Sequence, residues 1–157
     1  MAGDKVIIYT DGAARGNPGP GGYGVVLMYK NHRKEISAGF SLTTNNRMEL
    51  LAVIVALEAL TRTDVQVEIY SDSRYVVDAV SKGWIWDWES KGFKKKKNPD
   101  LWKRYIPLHK EFKPIFHWVK GHASIRENER CDELAVQASL KQNLPPDEGY
   151  EQLSETN

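Results

Sequence analysis

A chain of 157 residues, 41% hydrophobic and 27% charged, has the size and composition of one globular domain with a single core. No apolar run approaches the length of a transmembrane helix, and the lone cysteine, Cys131, excludes an internal disulfide and suits a reducing cytosol. The net charge of +1 hides an asymmetry: residues 82–113 hold ten Lys/Arg and four Asp/Glu (+6), whereas the rest holds twelve and seventeen (−5).

From the N-terminus, residues 5–11 (KVIIYTD) read as a short buried strand ending in a carboxylate. No charged segment with a longer apolar stretch precedes it, so no signal peptide is expected. The cluster from Gly16 to Gly22 has loop chemistry. Tyr23 to Lys30 and Glu35 to Thr43 read as two further strands about a turn, which predicts an antiparallel meander. Thr44-Asn45-Asn46 can cap a helix from about Arg47 to Leu60, in which Met48, Leu51, Ala52, Val55, Ala56 and Ala59 recur at helical spacing.

Val65 to Ser71 is a second strand that runs into a carboxylate, Asp72, and Ser73 to Val80 is helical. Gly83 breaks the pattern before Trp84-Ile85-Trp86-Asp87-Trp88; Gly92 to Asn98 is a basic loop and Pro99 opens another helix. Ile115 to Val119 is the last strand, residues 121–128 a loop and Glu129 to Leu140 a closing helix. Residues 141–157, with Pro145-Pro146 and four acids, are expected to form a mobile tail behind a domain of residues 1–140. Strands first and strand–helix alternation afterwards predict an α/β fold: a mixed sheet with helices packed on it.

Asp11 and Asp72 close strands, while Glu49 and Asp132 fall in first turns of helices. Strand ends and helix starts meet along one edge of an α/β sheet, where ligands commonly bind. Singly, each acid has an ordinary explanation as a turn residue, an N-cap or a partner of a helix dipole. Gathered at one edge, they would repel one another unless a hard cation such as Mg²⁺ sat between them. Two such ions about 3.5–4 Å apart stabilise the attacking and leaving oxygens of a phosphoryl displacement. The basic segment, with Lys94, Lys95, Lys96 and Lys97 in a row, points to a polyanion docked at one place. A merely solvated helical surface is the competing explanation.

These acids lie within TDGAARGNPGPGGYG (residues 10–24), TTNNRMEL (43–50), YSDSRYV (70–76) and NERCDELA (128–135), and WVKGHA (118–123) adds a fifth block. Five blocks in this order and spacing resemble a bacterial type 1 ribonuclease H over nearly the whole chain. The resemblance implies a five-stranded mixed sheet, three strands antiparallel and the others added in parallel, flanked by helices. It implies a monomeric cytoplasmic endonuclease that cuts the RNA strand of RNA–DNA hybrids and leaves 5′-phosphate ends. Two Mg²⁺ ions, replaceable by Mn²⁺, would be held by Asp11, Glu49, Asp72 and Asp132, with Asp11 bridging both. His122 would be the loop histidine that moves a proton or helps the product leave, and its ordinary pKa near neutrality suits either task. His32, His109 and His117 match no functional block.

By the same resemblance, the glycine-rich loop from Ala14 to Asn17, with Asn46 and Glu49, would read the RNA 2′-OH, the group that distinguishes the two strands. Thr44 and Asn98 would hold DNA phosphates, and Asn45 a base edge. Trp84, Trp88 and Phe93 would flank the DNA backbone, although Trp84 serves a helix-packing seam as readily. Lys94, Lys95, Lys96 and Lys97, with Lys91, would be a basic protrusion at about residues 82–113. Arg74 stands where relatives have a neutral residue and would add an RNA phosphate contact, whereas Leu42 replaces an arginine. No separate hybrid-binding domain is expected.

Three other functions compete. A noncatalytic nucleic-acid-binding module on the same fold would not need all four acids. An integrase-like strand-transfer enzyme would lack the glycine-rich and TTNNRMEL blocks. An actin-like sugar kinase would be much longer.

Overall fold

Val6, Ile8, Val67 and Ile69 are buried between neighbours that are less so, and this alternation sets β1 (Lys5–Ala14) beside β4 (Gln66–Ser71) at the middle of a sheet. The structure, a computed structural model, describes residues 4–120 and 125–155. β2 (Gly19–Tyr29) and β3 (His32–Thr43) complete an antiparallel meander with β1. β4 and β5 (Ile115–Trp118) then add in parallel, giving five strands in the order β3-β2-β1-β4-β5.

The strands start earlier and end later than the glycine cluster suggests. Gly19 to Gly22 lie in β2, where Gly21 and Gly22 pair with Ala14 and Ala13, and only residues 15–18 form the turn. Glycines look like loop by composition, but here a side chain would collide: Gly19 lies against the turn at Arg15 O, Gly21 against Thr43 and Ala13 O, and Gly22 against Ala135 O of the last long helix.

α1 (Asn45–Glu58) is capped by Thr44, whose hydroxyl accepts the Arg47 amide at 3.2 Å. It is buried nearly all round rather than on one stripe, because it packs against β1 and β2 and also α4 (Pro99–Phe112). α2 (Arg74–Ser81) and the short α3 (Trp84–Ser90) complete that side. α5 (Arg126–Ser139) lies across β1, β2 and β3. It begins three residues before the expected Glu129, which puts Asp132 in its second turn.

Residues 141–155, expected to belong to a mobile tail, instead dock on the domain and end in α6 (Glu148–Glu155). Ser41 N donates to Pro145 O at 2.9 Å. The Asp147 carboxylate, 7% exposed, accepts from Thr43 Oγ1 (2.7 Å) and from Arg47 Nε (2.9 Å) and Nη2 (3.0 Å). Arg47 reaches Asp100 as well, at 2.9 Å through both terminal nitrogens. A guanidinium buried at 1% exposure inside an apolar helix needs such carboxylates, and the tail supplies one of them.

Candidate active site

Tyr9 of β1 and Tyr70 of β4 are parallel partners with rings stacked 5.0 Å apart, and two residues farther along each strand direction come Asp11 and Asp72. Glu49 joins them because α1 touches β1 at Gly12: a Cβ there would strike Glu49 N and lie 2.5 Å from the Met48 carbonyl carbon. The glycine after Asp11 is therefore a close-approach residue that brings a third carboxylate to the pair. Asp11, Glu49 and Asp72 each offer an oxygen within 4.8 Å of the others.

Asp11 and Glu49 are buried at 6% and 5% exposure, and Asp72 is half-buried. Asp11 accepts its neighbour's amide, Gly12 N, at 2.9 Å, whereas Glu49 Oε1 is buried with no hydrogen-bond partner. Burial, and after it the Asp72 charge, pushes the Asp11 carboxyl up to about 8. Burial, followed by Asp11 and Asp72, raises Glu49 well above the ordinary carboxylate range. Desolvation and like-charge repulsion act together here. An orphaned carboxylate oxygen facing two more acids is the donor set a divalent cation would satisfy. Asp132 is exposed on α5 and stands outside this close trio, yet its charge also raises Asp11. His122 lies outside the described residues.

Behind Asp72, Trp118 donates its indole Nε1–H to the Asp72 carbonyl at 3.2 Å, and the Arg74 guanidinium lies 3.9 Å from the Trp118 ring centroid. Arg74 is otherwise lightly held, 4.0 Å from Asp78. Sequence reasoning did not single out Trp118, Arg47 or Asp147. The signal available for Arg47 and Trp118 was their place in the TTNNRMEL and WVKGHA blocks; for Asp147 there was none.

Several of the expected substrate residues share one groove. Ala14 is at the end of β1, and Asn17 Oδ1 accepts the Asn45 amide at 3.2 Å, tying the glycine-rich turn to the start of α1. Thr44, Asn46, Lys95, Lys96 and Lys97 line one groove with Asn17 and Asn98. Lys94, Lys95, Lys96 and Lys97 are all exposed, and the Lys96 ammonium lies 5.1 Å from the Trp88 ring centroid. The aromatic residues divide. Trp84 is 45% exposed with the Lys82 ammonium 5.3 Å from its ring, Trp88 packs edge-on against Trp102 at 5.7 Å, and Phe93 is buried at 6% exposure. Phe93 holds a left-handed φ of 59° and donates its amide to Trp88 O at 2.8 Å, so it anchors the lysine loop from beneath and keeps little of its ring exposed. Asn98 is also buried: its Oδ1 accepts from Arg47 Nη1 at 3.2 Å and its Nδ2 donates to Tyr75 Oη at 2.9 Å. His109 and His117 serve packing, paired with Tyr105 (2.8 Å) and Glu68 (2.7 Å).

The RNase H family model matches residues 3–140. The chain belongs to the RNase H family. It is 58% identical over 152 residues to a ribonuclease H of Rippkaea orientalis, covering 94% of this chain and 93% of that one. LC9-RNase H1, a type 1 RNase H with the type 2 active-site motif, superposes with a TM-score of 0.80 at 32% identity, over 98% of this chain and 82% of the other. LC11-RNase H1, solved in complex with an RNA/DNA hybrid, superposes with a TM-score of 0.63 at 32% identity, over 85% and 95% of the two chains. The family's fold, a five-stranded mixed sheet with flanking helices, is the one expected from the sequence blocks. Among the described residues no helix is long and apolar enough to cross a membrane.

Proposed function

We propose that this protein is an endonuclease that hydrolyses the RNA strand of RNA–DNA hybrids and leaves 5′-phosphate ends, working as a monomer in the cytoplasm. The observation that carries the proposal is the meeting of Asp11, Glu49 and Asp72 within 4.8 Å, at the edge of a sheet whose relative LC11-RNase H1 binds a hybrid. Asp11 would be shared between two cation positions, one completed by Glu49 and Asp72 and the other by Asp132. Mg²⁺ fits an all-carboxylate set that leaves room for water, and Mn²⁺ has the same ligand preference. Bound there, the ions would supply Lewis acidity to the attacking and leaving oxygens of an in-line phosphoryl displacement. His122 would accept or pass on a proton.

The remaining residues orient the duplex. The turn from Ala14 to Asn17, fastened to Asn45, would bring backbone and amide atoms to the RNA sugar, with Asn46 beside it. Thr44 and the exposed Lys94, Lys95, Lys96 and Lys97 would hold the DNA backbone, and Asn45 a base edge in the minor groove. Arg74, over the Trp118 ring, would meet an RNA phosphate next to Asp72. Asn98 and Phe93 would act from within, by shaping the groove and supporting the lysine loop, while Trp84 and the rim of Trp88 face the duplex. The test is binding and cleavage of one labelled hybrid in Mg²⁺. Cleavage to 5′-phosphate products supports the enzyme; tight binding with no cleavage would instead make the protein a noncatalytic hybrid-binding module.

A further inference from the structure

We propose that the C-terminal helix forms one wall of the duplex groove and that the Tyr150 hydroxyl donates a hydrogen bond to a backbone phosphate there. The idea rests on the reading of that groove as the place where the hybrid backbone lies. The groove, of about 550 Å³, is lined by Thr44, Asn46, Lys95, Lys96 and Lys97, and Tyr150 of α6 is lined up with them. Among the described residues Tyr150 is the only part of α6 that lines it. Its hydroxyl has no hydrogen-bond partner among the described residues. A half-buried phenol with a free donor, beside three exposed ammonium groups, suits an anionic oxygen.

Three features hold the ring in place. Asp147, fixed by Thr43 and Arg47, also caps α6 by accepting the Tyr150 amide at 3.3 Å. The Arg47 guanidinium lies 6.0 Å from the Tyr150 ring centroid. Gly149 lets the helix come this close: a Cβ there would strike Asp100 Oδ2 and lie 2.9 Å from Arg47 Nη2. Glu148 and Glu151 of α6 do not line the groove, where the helix presents the neutral Tyr150 to a polyanion. One buried arginine thus couples the start of α1, which carries Thr44 and Asn46, to a residue a hundred positions away in sequence.

The experiment measures binding of a fluorescent RNA–DNA hybrid by anisotropy, in chelator and over a salt series, with kcat and KM determined in Mg²⁺. Tyr150→Phe should weaken binding about three- to tenfold, the net order of one hydrogen bond exchanged with water. Because a phenol releases no counterion, the salt slope should stay at the wild-type value. KM should rise with kcat unchanged. Gly149→Ala, which moves α6 while keeping the tyrosine, should weaken binding likewise. Wild-type affinity in Tyr150→Phe would overturn the proposal. So would a loss accompanied by a flatter salt slope, since that would mean the lysine loop had shifted. Changing Lys94, Lys95, Lys96 and Lys97 to alanine separates the two levels: if that variant weakens and Tyr150→Phe does not, only the tail contact fails, whereas if neither weakens, the groove reading fails with it.

Discussion

The indole of Trp118 donates to the main-chain carbonyl of Asp72 at 3.2 Å, so the last residue of β5 fixes the backbone of a proposed metal ligand that lies just past the end of β4. Trp118 is 41% exposed, which makes its contribution to the core small. Trp118→Phe keeps a ring under Arg74 and removes the donor. The expected result is a fall in kcat of roughly tenfold, the low end for groups that orient metal ligands, with little change in melting temperature. Steady-state kinetics beside a thermal melt checks it; unchanged kcat would make the contact incidental.

Asp11→Asn should abolish cleavage and, in the absence of divalent ions, stabilise the protein. The Asp11 carboxyl is raised to about 8 from an unfolded value of 3.8. A raised pKa contributes stability that is complete below the unfolded value and is lost as pH climbs through the folded one. Metal-free wild type should therefore lose stability between about pH 4 and 8 from this group, and the amide does not titrate. The melting-temperature difference between variant and wild type should grow across that range, with about 2–4 °C for each kcal/mol in a chain of this size. Added Mg²⁺ should narrow it at pH 8. A variant that melts below wild type at pH 8 without metal would contradict the repulsion argument.

Arg47→Ala should cost about 3–5 kcal/mol, because it leaves the buried Asp147 carboxylate without its cation. Urea denaturation measures this directly. A loss under 1 kcal/mol would mean that water reaches Asp147 readily once the guanidinium is gone.

Changing Lys94, Lys95, Lys96 and Lys97 to alanine together should raise KM and leave kcat near wild type, since none of these lysines belongs to the carboxylate trio. The slope of log affinity against log salt should fall by up to about three. Kinetics at several salt concentrations would show it, and an unchanged KM and slope would return the run to a solvated loop.

Much of this was readable in the primary structure, for identifiable reasons. Asp11 and Asp72 stood out because each follows an apolar strand segment, and although β1 runs on past Asp11 to Ala14, the parallel pairing of Tyr9 with Tyr70 brings the positions two residues farther on together. The helix from Asn45 was legible through its Thr44 cap. The extent of β2 was not, because Gly19 to Gly22 carry no side-chain pattern and their place in the sheet comes from pairing with β1 and β3. The docked tail was hidden for a related reason. Asp147 reads as one acid among four, and only folding brings Arg47 and Thr43, about a hundred residues earlier, to its carboxylate. Phe93 and Asn98 were expected as substrate contacts by resemblance, and their burial was not legible because a tight loop leaves no periodic trace.

The central claim is metal-dependent cleavage of one strand of one kind of duplex. Labelled RNA–DNA hybrid, duplex RNA and duplex DNA of the same sequence, each incubated with Mg²⁺ and with excess chelator, test it most directly. The account predicts cutting of the hybrid's RNA strand alone, in Mg²⁺ alone. Cutting that persists in chelator, or that extends equally to duplex RNA or DNA, would contradict it.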